Sequence, residues 1–114
     1  MKTLNDLNLS EKERRCIEEA AAVLKSELPV TRVVLFGSKA RGDAQPDSDI
    51  DLLVLTSCPA TTELCHSVSD RLADINLQND VMLSSVVVSE QDWSDGLVRY
   101  MLIHEEVERD GCDL

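Results

Sequence analysis

This sequence of 114 residues predicts a single α/β or α+β sheet domain covering residues 1–114. Three observations carry that prediction. Apolar runs of strand length alternate with stretches whose apolar residues recur at helical spacing. The changes between them fall at Ser, Gly and Pro, the residues that start and stop regular structure. A chain of this size buries roughly 65% of its unfolded surface, enough for one core. That core must be mainly aliphatic, because 43% of residues are hydrophobic and only 3% are aromatic.

The elements follow in order. Ser10 and Glu13 have the spacing of a capping box and open a helix. Its residues Ile17, Ala20, Ala21, Leu24 and Leu28 fall on one face, and Pro29 ends it. A first strand spans 30–36. The polar loop 38–48 contains a short helix after Gly37-Ser38. A second strand spans 49–56, Pro59 breaks the chain, and a helix covers 61–75. A third strand spans 80–88, and Ser89 caps a last helical region through 109. Within that region Leu97, Val98, Met101, Leu102 and Val107 serve either core packing or an interface. No repeat, linker or low-complexity tract interrupts this order.

The chemistry concentrates between the first two strands. Gly37 follows an apolar strand, where a glycine permits a sharp turn and close approach of a phosphate. Ser38 adds a hydroxyl, and N–H groups at a following helix start favour anions. Asp49 and Asp51 stand at positions i and i+2, so a strand places them on one face, roughly 6–7 Å apart. Their repulsion at an effective dielectric of about 20 is about 2–3 kcal/mol. A divalent cation removes it, and Mg²⁺ commonly takes one or two carboxylates together with substrate phosphates. Solvated acids at a strand start are the plain alternative for Asp-x-Asp alone, as a simple turn is for Gly-Ser alone. Gly37 to Gly42 has the spacing of a P-loop, but Asp43 stands where its lysine belongs.

Gly37-Ser38, ten residues, then Asp49-Ile50-Asp51 resembles the signature of the DNA polymerase β nucleotidyltransferase superfamily. The longer string Gly37-Ser38-Lys39-Ala40-Arg41-Gly42-Asp43, followed by Asp47-Ser48-Asp49-Ile50-Asp51-Leu52, resembles its minimal nucleotidyltransferase branch. The resemblance runs from about Val30 to the end. It refines the fold to α+β: a small mixed sheet with helices on one face and the acids meeting at an open edge of the other. The family pattern adds a third carboxylate on a later strand. Asp80, which opens the third apolar run, is preferred over Asp74, which lies in a helix. The resemblance implies that Asp49, Asp51 and Asp80 hold two Mg²⁺ ions and carry catalysis, and that Gly37 and Ser38 hold the triphosphate of ATP or another NTP. Arg41 and Lys39 either neutralise phosphates or stand as solvated loop cations.

The acceptor is less determined. With 22 acids against 11 bases and a net charge of −11, the chain lacks the basic stripe that extended nucleic-acid binding needs. Larger relatives carry a further helical domain for the acceptor, so the resemblance implies a wall supplied by a second copy or by a partner. In the minimal branch that partner is often a HEPN-type helical toxin, adenylylated on tyrosine by its antitoxin. Two alternatives remain: an antibiotic-type small-molecule adenylyltransferase acting as a dimer, and a non-catalytic module that caps a partner. Cys16, Cys58, Cys65 and Cys112 match no common zinc spacing and fit free thiols in a reducing compartment. No apolar run approaches the length of a membrane span, the charged N-terminus is unlike a signal peptide, and a cytoplasmic protein is expected.

Overall fold

Ser10 opens the first long helix in the computed structural model, which describes residues 3–43 and 48–114. The Ser10 hydroxyl accepts from the Glu13 N–H at 3.1 Å, and the Glu13 carboxylate accepts from the Ser10 N–H at 2.9 Å. Helix α1 (Glu11–Glu27) leads into strand β1 (Val30–Phe36), a four-residue helix α2 (Ser38–Arg41), and strand β2 (Ile50–Thr56). Helix α3 (Thr62–Asn79), strand β3 (Leu83–Ser89) and helix α4 (Glu90–Asp95) follow. A 3₁₀ turn (Leu97–Tyr100), helix α5 (Leu102–Asp110) and a two-residue strand β4 (Cys112–Asp113) complete the described chain. Residues 44–47 of the expected loop lie outside the described residues.

The sheet is mixed, as expected, with strand order β3-β2-β1-β4. β1 pairs antiparallel with β2 and with β4, and β2 pairs parallel with β3. The parallel pair requires a crossover, which α3 supplies. Alternation along the strands separates two cores. Val33, Leu35, Ile50, Leu52, Val54 and Leu83 pack with residues of α1 and α3, including Ile17, Leu24, Val68 and Leu72. Val34, Phe36, Leu53, Leu55 and Val88 pack on the other face with Trp93 of α4 and Val107 of α5. The two long helices thus share one face, while the short C-terminal helices also cover part of the second. Trp93, the one tryptophan, is buried in that second core and stacks on His104 with ring centroids 4.4 Å apart.

Several boundaries differ from the sequence expectation. β2 starts at Ile50, leaving Asp49 just before it. Helix α3 continues past Ile75 to Asn79 and ends on Asp80, whose left-handed backbone (φ 54, ψ 49) closes it. The short polar Asp side chain is one of the few that tolerate that conformation. β3 therefore begins at Leu83 rather than Asp80. Asn76 fixes that start by accepting from the Leu83 N–H at 2.8 Å and donating to the Leu83 carbonyl at 3.1 Å. The region after Ser89 is not one helix, since it breaks at Gly96 and Met101 into α4, the 3₁₀ turn and α5. Val107 and half-buried Val98 join the second core, while Leu97, Met101 and Leu102 are exposed.

Candidate active site

β1 ends at Phe36, which pairs with Asp51 across the antiparallel ladder. The chain then turns at Gly37, whose backbone (φ 79, ψ −158) is open in practice only to glycine. A second constraint acts on the same residue. A Cβ placed on Gly37 would lie 2.4 Å from Asp51 Oδ2. The glycine thus lets the turn close directly onto the Asp51 carboxylate.

Asp51 is half-buried and lies on the sheet face that also carries Leu53 and Leu55. Its Oδ1 accepts a hydrogen bond from the Ser84 hydroxyl at 3.0 Å. Ser84 is its register partner on β3. Asp49 is exposed, two residues earlier. Neither acid forms an ion pair with a Lys, Arg or His among the described residues. Asp51 beside the glycine turn, and Asp49 two residues before it, are the two carboxylates here that could take Mg²⁺ if substrate phosphates completed the shell.

Both basic residues of the turn have acidic partners within the chain. Lys39 points inward and pairs with Glu13 of α1 at 2.6 Å, its side chain only 6% exposed. Burial pushes the Glu13 carboxyl up, but the hydrogen bonds from Lys39 and the Ser10 N–H and the lysine's charge outweigh it, holding Glu13 below its ordinary value. Arg41 is engaged by Asp43 at 3.3 Å and by Glu106 of α5, which ties the turn to the C-terminal helix. Ser38, the first residue of α2, sits half-buried next to Gly37.

The third expected acid is not gathered with the first two. Asp80 caps α3, three residues before β3, and lines a cavity of about 550 Å³ with Ser10, Glu13, Ser48 and Ile50. Ile50 belongs to the α1/α3 core, on the sheet face opposite Asp51. Asp74 is exposed on α3, which covers that same face. Among the described residues no three or more His, Cys, Asp or Glu side chains form a group able to hold a metal ion. Sequence reading missed Ser84. Its signal is the alternation of buried Leu83 with Ser84, which becomes readable only once the β2–β3 register is known.

A family model described as a nucleotidyltransferase domain matches residues 17–109. A Methanocaldococcus jannaschii protein, assigned by inference as a protein adenylyltransferase, is 31% identical over 70 residues, covering 61% of this chain and 69% of its own length. A solved structure assigned by inference as a minimal nucleotidyltransferase is 25% identical with a TM-score of 0.59, covering 94% of this chain and 99% of that one. A chain from the complex of tri-AMPylated Shewanella oneidensis HEPN toxin with MNT antitoxin shares the fold at 19% identity and a TM-score of 0.56, covering 89% and 70%.

Proposed function

The chain belongs to the nucleotidyltransferase domain family and is a transferase, and on that premise we propose that it moves AMP from ATP to a hydroxyl of a helical HEPN-type partner and so acts as that partner's antitoxin. The observation that carries this reading is the contact between the Gly37 turn and Asp51, where an added Cβ would meet Oδ2 at 2.4 Å. It joins the segment suited to phosphate with the segment suited to a cation.

In this reading Gly37 and Ser38 hold the triphosphate, and Asp49 and Asp51 hold Mg²⁺. The acceptor hydroxyl oxygen bonds to the α-phosphorus and its proton passes to solvent, while the α–β phosphoanhydride bond breaks and pyrophosphate leaves. Asp49 and Asp51 would hold the Mg²⁺, which when bound would supply charge neutralisation at the phosphates. The chain's own contribution is placement: Gly37 admits the close approach and Asp51 is held from two sides. Asp80, which closes α3 and lines a cavity with Ser48 and Ile50, is given no step in this reading.

Two facts support the acceptor. The Methanocaldococcus jannaschii relative carries the name of a protein adenylyltransferase, and a fold neighbour comes from a complex with an AMP-modified HEPN toxin. Leu97, Tyr100, Met101 and Leu102, between 55% and 84% exposed, supply an apolar surface of the kind a helical protein covers. Isolating the helical protein that co-purifies with this chain, and weighing it intact after incubation with ATP and Mg²⁺, tests the proposal. A mass increase of one AMP or more on the partner is expected. An unmodified partner with an adenylylated small molecule in its place would favour the antibiotic-type reading.

A further inference from the structure

The resemblance led to an acid on the strand beside Asp51, yet β3 reads Leu-Ser-Ser-Val-Val-Val-Ser and contains none. Parallel pairing sets Ser84 next to Asp51. The two share a sheet face with Leu53, Leu55 and Val88. The Ser84 hydroxyl donates to Asp51 Oδ1 at 3.0 Å in a partly buried setting. On its other side Asp51 Oδ2 lies against Gly37.

We propose that Ser84 is a positioning residue, which stands at the strand position facing Asp51 and orients that carboxylate by its hydrogen bond, so that the acid set of this chain is two carboxylates and a hydroxyl rather than three carboxylates. The terminal torsion of an Asp side chain is broad and only weakly fixed by its own rotamer preference. A donor on one oxygen commits that oxygen and leaves the second turned to the glycine turn. Groups that hold a metal ligand in this way typically influence affinity or activity by about 10–100-fold. A serine also leaves one negative charge fewer than an acid there, so the site relies more on substrate phosphates to complete the metal's shell.

This inference rests on the reading of Asp49 and Asp51 as metal ligands, and the test separates the two. Binding of Mn²⁺ to the whole protein, without nucleotide and with ATP, is followed by the EPR signal of the free ion, with heat denaturation of each variant as a check on folding. Asp51→Asn should abolish Mn²⁺ binding. Ser84→Ala should weaken it about 10-fold and lower kcat with little change in KM for ATP, and Ser84→Thr should restore both. Ser84→Asp should bind Mn²⁺ more tightly than the wild type, because an acid at that position becomes a direct ligand. Wild-type affinity in Ser84→Ala, or weakened binding in Ser84→Asp, would overturn the role of Ser84 while leaving the Asp51 reading in place. A wild type that binds no Mn²⁺ with or without ATP would overturn both.

Discussion

Glu13 and Asp51 are carboxylates on either side of the short helix α2, and the fold treats them in opposite ways. Glu13 meets a lysine: Lys39 reaches it at 2.6 Å and both side chains are largely buried. Asp51 meets a bare glycine backbone and a serine hydroxyl, and no cation among the described residues pairs with it. A carboxylate whose charge is cancelled inside the protein is finished as structure. One that is oriented but left uncancelled, with a second acid two residues away, still has a charge to offer. The same turn supplies both, sending Lys39 toward α1 and Gly37 toward β2.

Substitutions on the two sides should therefore separate activity from stability. Asp51→Ala or Asp49→Ala should lower AMP transfer at least about 100-fold, the scale seen when a charge-stabilising group is removed from a reacting centre. Thermal melting of Asp49→Ala should stay near the wild type, and Asp51→Ala should lose about 1 kcal/mol with its Ser84 hydrogen bond, because neither acid pairs with a cation among the described residues. On the other side, Lys39→Met should cost about 3 kcal/mol of stability, since it leaves Glu13 in a largely buried place without its partner. Urea titration measures that loss, and a loss below about 1 kcal/mol would reduce the pair to a surface contact.

Gly37→Ala belongs to both sides. Its backbone region costs about 1–3 kcal/mol for a residue with a Cβ, and the Cβ would strike Asp51 Oδ2. Reduced stability and reduced transfer are expected together, and a crystal structure of the variant should show the Asp51 carboxylate displaced. A smaller effect follows from Glu13. Its folded pKa lies below the ordinary carboxylate value, so its contribution is present above that value and is lost as pH falls through the lower folded one. Acid titration of the melting temperature should show this loss, and Glu13→Gln should flatten it. Smallest of all, Arg32→Ala removes a partly exposed pair with Asp113 and should cost under about 1 kcal/mol.

Local signals were the readable ones. The capping box, the apolar stripe of α1, the strand 30–36 and the Gly37/Asp49/Asp51 spacing all depend on neighbours in sequence. Residues whose role depends on register or on distant packing were not readable. Asp80 looked like the start of a strand because Val81, Met82 and Leu83 are apolar, yet the Asn76 clamp and the left-handed cap assign those residues to an approach segment. Lys39 read as either a phosphate neutraliser or a solvated loop cation, and its buried pairing with Glu13, 26 positions earlier in the chain, was not legible. Strand β4 has two residues, too few to show any periodicity, and is held by its backbone pairing with Val34 and Leu35 of β1.

The proposed nucleotide transfer depends on Asp49 and Asp51, the two acids without a cation partner among the described residues. Incubating the wild type and an Asp49→Asn/Asp51→Asn variant with the co-purified partner, Mg²⁺ and ATP labelled at the α-phosphate measures this directly. Label on the partner is expected with the wild type, and at least about 100-fold less with the variant. Equal labelling by both proteins would contradict it.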